Sequence, residues 1–447
     1  MSSWKEYKLG EIATFYNGRA YKNTEFKVSG TPIVRIQNLT GEGKIVYSDL
    51  NLDENKYIDY GDLIYAWSAT FGPYIWKGEK SIYHYHIWKI ICNEELLDKK
   101  YFYYKLKQIS DNLKDSGGNG SIFVHITKAF MENFKVKIPS LNEQKRVSSI
   151  LAYLDEKIQL NTQINQTLEQ IAQTIFKSWF IDFDPVHAKA NALASGQTAE
   201  QATQAAMAVI SGKNTQELHR LQTANLEQYQ QLWEIAEAFP SGFDEEGVPR
   251  GWEQTTLSEV CSMKNGYAFK SSDWTDNGIP VIKIGSVKPM IVEVDGNGFV
   301  DEEHSVLHSE FLLTEGDIVV GLTGYVGEVG RIPQGRTAML NQRVAKFIPN
   351  KLNEQQDYYS FVYCLVRDKS FKAFAETNAK GSAQANISTK ELLNYSIILA
   401  SSEIQMKFES LIKPLLDKIL VNSGNNENLS KVRDLLLPKL LSGEIHL

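Results

Sequence analysis

The sequence predicts an α+β protein in which two α/β domains are separated by a pair of long antiparallel helices, a coiled coil with a pseudo-two-fold internal repeat. Three observations lead to this prediction. The chain repeats itself, each repeat contains short strand patterns, and each repeat is followed by an apolar stripe at helical spacing. Its 447 residues are enough for about three domains.

The first part of each repeat is recognised by identities at a constant spacing. Trp4 and Trp252 are 248 residues apart, and ten of the 33 positions from Trp4 onward are identical at this spacing, against about two expected by chance. Within the repeats, alternating apolar patterns predict strands at 32–36, 63–67, 87–92, 280–284 and 318–321, and helices at 101–110 and 358–367.

The second part of each repeat predicts a long helix of about 30–36 residues, or ~45–54 Å. Apolar residues recur in steps of three and four from Val147 and, 261 residues later, from Phe408. Each stripe needs a partner, and the matching stripe supplies one if the helices are antiparallel. Asn161 and Asn422 fall on the stripes, where they either fix the register of the pair or face solvent. Pro414 predicts a kink or a helix restart.

The repeats divide the chain into five segments. The predicted boundaries are a first α/β domain at 1–140, a first long helix at 141–184, a helical insert and linker at 185–250, a second α/β domain at 251–400, and a second long helix with a C-terminal tail at 401–447. In the insert, Thr198 and Gln201 form a predicted capping box for a helix to about Ile210. A second helix is expected from Asn214 or Thr215 to about Ala238.

Composition limits the possible environments and partners. The three cysteines, Cys92, Cys261 and Cys364, are scattered without a Cys-x-x-Cys pair, which argues against a disulfide scaffold or zinc ribbon and fits a reducing cytoplasm. We expect neither a signal peptide nor a membrane helix, because no apolar run approaches 18–20 residues. The net charge is −7 and residues 1–140 carry only +3, so a DNA contact would need a local patch.

Catalytic and metal-binding motifs are absent from the sequence. There is no phosphate-binding P-loop, and no two prolines are adjacent, so the Asn/Asp-Pro-Pro-aromatic motif of amino methyltransferases is missing. His304 and His308 have the spacing of metal ligands, but residue 305 is not the glutamate of a metalloprotease. His84 and His86 share one face of a predicted strand, where packing or DNA contact is favoured over metal binding. We therefore predict no catalytic residues and no metal site.

The openings of both repeats resemble those of target recognition domains in the DNA specificity (S) subunits of type I restriction-modification systems. Trp4 and Trp252 each begin Trp-x4-Leu-x-Glu-aliphatic, followed by Asn-Gly-x-Ala-aromatic-Lys and Pro-x-x-[Arg/Lys]-Ile. Other segments similar to family motifs, in an order that spans the chain, are 143–147, 176–186, 340–344, 381–388 and 435–445. The halves differ at 83–87 and 117–121, so contacts there cannot be copied between them.

The resemblance implies a DNA-binding subunit without a catalytic site, in which each recognition domain reads one half of a bipartite target. The half-sites would lie about one helical turn, ~10 bp, apart on double-stranded DNA. Because the two domains differ in sequence, we expect an asymmetric target. The implied partners are two modification subunits, which carry S-adenosylmethionine and methylate adenine, and two restriction subunits, which use ATP and Mg²⁺. This chain is expected to bind no cofactor itself.

Candidate site residues follow from the motifs and from exposed cations beside the strands. Candidate DNA contacts in the first domain are Lys22, Arg35, Trp67, His84, His86, Asn119 and Ser121. Those in the second domain are Lys270, Lys283, Thr323, Tyr325, Asn341, Gln342, Arg343, Lys380, Ser382 and Gln384. Candidate partner-binding residues, for which intramolecular core is the alternative, are Trp179, Phe180, Ile181, Leu440 and Leu441. For each cation the alternative is a solvated surface side chain.

Two other functions remain open from the residues alone. A self-sufficient methyltransferase or nuclease is opposed by the missing motifs. A coiled-coil scaffold without sequence-specific DNA binding would explain the helices but not the two repeated domains.

Overall fold

A computed structural model describes residues 4–41, 43–68, 71–115, 126–381 and 384–447. The chain divides into two compact units, each with one sheet-bearing domain and part of each long helix. Unit 1 comprises Met1–Ile158 with Asn428–Leu447, and unit 2 comprises Gln159–Glu427. In the described part of the chain, every helix is too short or too polar to cross a membrane.

The described residues of unit 1 form ten strands and the start of the first long helix. The strands are β1 (Lys5–Lys8), β2 (Ala13–Asn17), β3 (Thr31–Val34), β4 (Val46–Ser48), β5 (Tyr57–Ile58), β6 (Leu63–Ala66), β7 (Gly72–Ile75), β8 (Ser81–Tyr83), β9 (Ile87–Cys92) and β10 (Lys135–Ile138). The helices are α1 (Leu9–Ile12), α2 (Ile36–Leu39), α3 (Lys99–Asp115), α4 (Lys128–Asn133) and α5 (Leu141–Phe180), which ends in unit 2.

Unit 2 contains the insert and the second domain. The helices are α6 (Asp184–Ala194), α7 (Ala199–Ser211), α8 (Thr215–Ala224), α9 (Leu226–Ala238), α10 (Glu302–Leu307), α11 (Tyr359–Arg367), α12 (Lys369–Asn378), α13 (Thr389–Leu393) and α14 (Ser402–Ser442), which ends in unit 1. The strands are β11 (Glu253–Thr256), β12 (Cys261–Asn265), β13 (Ile279–Ile282), β14 (Met290–Ile291), β15 (Phe299–Val300), β16 (Leu312–Leu313), β17 (Ile318–Gly321), β18 (Val329–Arg331), β19 (Ala338–Leu340), β20 (Val344–Pro349) and β21 (Ser396–Leu399).

The two units share one sheet topology, which confirms the internal repeat. In unit 1, one sheet has the order β2-β9-β6-β7, a second has β4-β3-β8-β5 with β3 and β8 parallel, and β1 pairs with β10. In unit 2, the corresponding orders are β12-β20-β17-β18 and β15-β13-β19-β16, and β11 pairs with β21. Unit 2 adds one edge strand, β14, beside β18.

In each unit, the core lies where a sheet and helices pack on the long helices. In unit 1, Trp88 of β9 stacks on Tyr65 of β6 at 5.8 Å between ring centroids, and Leu151 of α5 and Leu440 of α14 belong to the same buried cluster. Burial of such large apolar side chains stabilises each domain by ~1.5–3 kcal/mol per residue.

Helices α5 and α14 are antiparallel, and reciprocal asparagine pairs mark their contact in unit 2. Asn161 Nδ2 donates to Asn426 Oδ1 at 2.9 Å, and Asn422 Nδ2 donates to Asn165 Oδ1 at 2.8 Å. Residues 161 and 422, like 165 and 426, are 261 positions apart, so the two pairs are related by the pseudo-two-fold repeat. Asn161 and Asn422 are buried, so the solvent-facing alternative is wrong.

The helix restart predicted at Pro414 does not occur. Helix α14 continues for 41 residues through this position, and α5 has 40, so both exceed the predicted length. Pro414 is exposed. Its missing N–H therefore leaves a carbonyl group that water can reach, which lowers the cost of a proline inside a helix.

The insert contains more helices than the sequence indicated. The predicted capping box is confirmed, with Gln201 N donating to Thr198 Oγ1 at 3.2 Å and Thr198 N to Gln201 Oε1 at 2.9 Å. The predicted second helix begins and ends where expected, at Thr215 and Ala238, but it is not continuous. Asn225 separates α8 from α9 and caps the latter by accepting from Gln228 N at 3.1 Å. Helix α6 was not predicted, and the buried Lys189 on it donates to three carbonyl groups at the end of α9.

Candidate nucleic-acid interface

Both domains present a tight turn between equivalent strands. In the first domain it joins β8 to β9, and Ile87 N donates to His84 O at 2.9 Å. In the second it joins β19 to β20, and Val344 N donates to Asn341 O at 2.9 Å. We call residues 84–87 and 341–344 the recognition turns. The prediction that His84 and His86 lie on one face of a strand is wrong, because residues 85 and 86 form this turn.

A glycine directly after β2, and another directly after β12, lets each recognition turn pack closely against that part of the backbone. A Cβ atom on Gly18 would lie 2.2 Å from His84 O, and one on Gly266 would lie 2.1 Å from Asn341 O, so neither position accepts a larger residue without backbone movement. This contact gives the repeated Asn-Gly dipeptides a structural cause. The next residue accepts from the turn, with Tyr85 N donating to Arg19 O at 3.1 Å.

The first recognition turn carries a cluster of aromatic and imidazole rings. The rings of Tyr85 and His86 are 3.9 Å apart between centroids, those of His84 and His86 are 4.9 Å apart, and Trp67 lies 5.0 Å from His86. Trp67 Nε1 donates to Tyr85 O at 2.8 Å, which fixes the indole against the turn. Burial, the His86 imidazole and the Arg35 guanidinium lower the pKa of His84 to about 4.

The second recognition turn carries amide and guanidinium groups instead. Arg343 Nη1 donates to Gln384 Oε1 at 3.3 Å, and Thr323 Oγ1 donates to Asn386 Oδ1 at 2.7 Å. Tyr325 is exposed in the same loop as Thr323. The structure thus brings together Thr323, Arg343 and Gln384, which the sequence had proposed separately.

The predicted cations occupy equivalent places beside the two turns. At Lys22 the backbone N–H donates to Glu25 Oε2 at 2.8 Å, and at Lys270 it donates to Asp273 Oδ2 at 2.7 Å. Both lysine side chains are exposed, and within the described residues neither forms an ion pair. Glu25 is already engaged by Arg19, whose guanidinium, together with the Lys22 N–H, holds the pKa of Glu25 at about 2.

The other two predicted cations are partly engaged. Arg35 Nη2 donates to Lys44 O at 2.8 Å, and Lys283 Nζ lies 3.9 Å from the centroid of the Trp274 ring. Each follows its domain's equivalent strand, β3 or β13, as predicted.

Comparison with known proteins identifies the family. The sequence model of one protein family, the type I restriction modification DNA specificity domain, matches residues 1–170 and 249–431. The chain belongs to this family. The two matched segments contain the two sheet-bearing domains, so this DNA specificity subunit carries the recognition domain twice. The match supports the DNA-binding prediction over the scaffold alternative.

Similar proteins cover nearly the whole chain. The type I restriction enzyme HindI specificity subunit of Haemophilus influenzae is 32% identical over all of both chains. The MjaVIII specificity subunit of Methanocaldococcus jannaschii is 25% identical over 99% of this chain and 93% of its own. A crystal structure of the type I restriction-modification S subunit from M. genitalium has the same fold, with a TM-score of 0.53, 15% identity and coverage of 98% and 96%.

Three of the proposed DNA contacts cannot be placed, and a fourth is in an ion pair. Asn119, Ser121 and Ser382 lie outside the described residues. Lys380 forms an ion pair of 2.7 Å with Glu391. Sequence reasoning missed Tyr85 and Asn386, although both lie in motifs that it had singled out, because the assumed strand alternation put Tyr85 on the face opposite the histidines.

The predicted partner-binding residues are corrected by their burial. Trp179 and Phe180 belong to the core of unit 2, and Leu440 and Leu441 to the core of unit 1, so the intramolecular alternative holds for these four. Large apolar side chains at a helix end are buried here because each domain packs on them. Ile181 remains partly exposed.

Specificity subunits are in general non-catalytic parts of type I restriction-modification complexes. The described residues contain no group of three or more side chains arranged to hold a metal ion. His304 instead contacts Asp301 at 2.7 Å, and that hydrogen bond raises the pKa of the imidazole.

Proposed function

We propose that each of the two domains of this specificity subunit reads one half of a bipartite, asymmetric DNA target. The observation that carries this proposal is the pair of recognition turns, which have the same backbone hydrogen bonds but present different side chains. A common frame delivers each turn to DNA in the same way. Different side chains then select different bases, because sequence is read by contacts to base edges.

Modularity is the test of this proposal. Residues 1–140 are replaced by the corresponding domain of a relative, and the hybrid is combined with modification subunits. The methylated sequence, mapped on genomic DNA by single-molecule sequencing, is expected to change in one half only. A change in both halves, or methylation without sequence preference, would contradict the proposal.

We further propose that two modification subunits bind the long helices and methylate adenine with S-adenosylmethionine, and that two restriction subunits add ATP- and Mg²⁺-dependent cleavage in the cytoplasm. Exposed apolar residues on the helices support two equivalent docking positions. Ile150 and Leu411 are 36% and 39% exposed, and Ile171 and Val432 are 42% and 46% exposed. Each pair is separated by the 261-residue repeat, so a partner that fits one position fits its equivalent.

Substitutions on one unit at a time test this stoichiometry. Ile150→Asp with Val432→Asp changes only unit 1, and Leu411→Asp with Ile171→Asp changes only unit 2. Each double variant is expected to bind one modification subunit instead of two in native mass spectrometry. Val209→Asp, on the partly exposed surface of α7, is the control and should leave the stoichiometry unchanged. Two bound subunits in both double variants would contradict this docking.

A further inference from the structure

The arginines of the second domain differ in their burial and in the carboxylates that pair with them. Arg331 is fully buried and donates to Leu416 O at 3.1 Å. Arg336 is bonded to Asp295 and Glu427, and Arg367 pairs with Glu169 at 3.1 Å and Glu328 at 3.5 Å. These three side chains are therefore committed to holding the domain together.

Arg343 is the remaining arginine of residues 251–400, and it has a different environment. It is exposed at the third position of the second recognition turn. Among the described residues it forms no ion pair with a carboxylate, and its hydrogen bond to Gln384 Oε1 uses only one of five N–H donors. The guanidinium is thus oriented by a neutral amide and keeps donors for a ligand.

The backbone of the turn is fixed on three sides. Asn341 N donates to Ile282 O at 3.3 Å, Gln342 N donates to Tyr267 O at 2.9 Å, and Leu322 N donates to Arg343 O at 3.0 Å. The flanking Val344 is buried. A long side chain on a rigid base loses less conformational freedom on binding than one on a mobile loop.

We propose that Arg343 is a base-reading residue that selects a guanine in the half-site of the second domain. The inference rests on the proposed function and adds the identity of one base. A guanidinium donates two parallel hydrogen bonds to O6 and N7 of guanine in the major groove, which no other base accepts in the same way. Gln384 holds the plane of this fork.

The first domain lacks an equivalent group. Its recognition turn carries His86 where the second carries Arg343, and its two arginines lie outside the turn, Arg19 paired with Glu25 and Arg35 donating from Nη2 to Lys44 O. The first recognition turn therefore offers guanine no arginine fork.

The test uses the complex of the full chain with modification subunits. Binding is measured by fluorescence anisotropy to the cognate duplex and to duplexes in which each guanine of the target is replaced in turn by 7-deazaguanine, which lacks N7. The wild type should lose about 5- to 150-fold in affinity at one guanine of the second half-site. Arg343→Ala should be insensitive to that replacement and should methylate sequences with any base at that position.

Two further variants separate base reading from charge. Arg343→Lys keeps the positive charge without the fork and should recover only part of the discrimination. Arg220→Ala, at an exposed position on α8, should behave as wild type. Full recovery by Arg343→Lys, or a loss for Arg343→Ala that is equal on all sequences with a salt slope reduced by about one, would make Arg343 a phosphate contact and overturn the proposal. Loss of sequence-specific methylation by the wild type would instead overturn the proposed function.

Discussion

The two domains hold their recognition turns in the same backbone frame but attach to the long helices through different groups. In unit 1, Asp98 caps the start of α3 and accepts a hydrogen bond of 3.0 Å from Ser148 on α5. The residue 261 positions after Ser148 is Glu409 on α14. In unit 2 its carboxylate accepts from Ser360 N and Phe361 N at the start of α11, each at 2.9 Å. The N-terminus of α3 is thus capped by a residue next to it in the chain, whereas that of α11 is capped by a residue of the long helix α14.

The ion pairs made by the long helix α5 also differ between the two units. In unit 2, Glu169 of α5 is 9% exposed and accepts from Tyr363 Oη at 2.8 Å and from Arg367 Nε at 3.1 Å. In unit 1, Asp155 of α5 is 30% exposed and pairs with Arg433 of α14 at 2.7 Å. The comparison teaches that the shared part of the fold is the frame of the turn, whereas the attachment to the helices tolerates different chemistry. Because the carboxylate of unit 2 is more deeply buried than that of unit 1, the stability of unit 2 should depend on it more strongly.

The largest expected effect is the loss of the buried carboxylate in unit 2. Glu169→Ala leaves Tyr363 Oη without its acceptor and Arg367 with Glu328 as its remaining partner, and should lower the free energy of unfolding of unit 2 by ~2–6 kcal/mol, at ~1–3 kcal/mol for each of the two donors. Asp155→Ala, its counterpart in unit 1, should cost less, ~1–2 kcal/mol, because Asp155 is 30% exposed and Arg433 keeps Asp434 as a partner. Hydrogen exchange in α11 and α3 reports the two units separately. Equal losses would show that burial does not distinguish the two attachments.

The asparagine pairs test the symmetric part of the helix contact. Asn165→Ala leaves the buried amide of Asn422 without its acceptor and should cost ~1–3 kcal/mol in urea unfolding. Asn426→Ala, the repeat-related change, should cost a similar amount, because it leaves the buried amide of Asn161 without its acceptor. Asn165→Leu combined with Asn422→Leu should recover most of the stability, since neither polar group is then left unpaired. If the double variant is as unstable as Asn165→Ala, hydrogen bonding is not what the pair contributes.

The two units should respond to pH in opposite directions. The pKa of His84 falls from 6.5 to about 4 on folding, so unfolded unit 1 binds more protons and unit 1 loses stability as the pH falls from about 6.5 to about 4. Burial raises the pKa of Glu409 from 4.5 to about 7, so unit 2 loses stability as the pH rises from about 4.5 to about 7. The free energy of unfolding of each unit is measured across this pH range by chemical denaturation followed by hydrogen exchange. Its dependence on pH should flatten for unit 1 in His84→Gln and for unit 2 in Glu409→Gln. A slope that survives its substitution would assign the effect to other groups.

The smallest expected effect concerns the exposed lysines beside the turns. Lys22→Ala with Lys270→Ala should weaken binding to all DNA sequences alike, because we expect each lysine to contact a phosphate and no base. The slope of log affinity against log salt should fall by about one per lysine. Single variants show whether the domains contribute equally. An unchanged slope in the double variant would leave both lysines as solvated surface cations.

Much of this fold and part of its site follow from local patterns in the sequence. The repeat, the strands at Ile318–Gly321 and Ile87–Cys92, the capping box at Thr198 and the amphipathic long helices were all predicted, because each depends on spacing or on residues close in the chain. The family resemblance was likewise visible in ordered motifs. The comparisons confirmed the DNA specificity function that it implied.

Tertiary structure decided the features that depend on contacts between distant residues. The alternation at 83–87 is that of a strand, but the hydrogen bond from Tyr85 N to Arg19 O and the close approach of Gly18 place a turn there. Trp179 and Leu440 are buried because each domain packs on the helix ends. Likewise, only distant groups distinguish the other three arginines from Arg343. They are Leu416 O beside Arg331, Asp295 and Glu427 beside Arg336, and Glu169 and Glu328 beside Arg367. Local sequence specifies what a segment prefers, whereas burial and pairing depend on which remote groups arrive beside it.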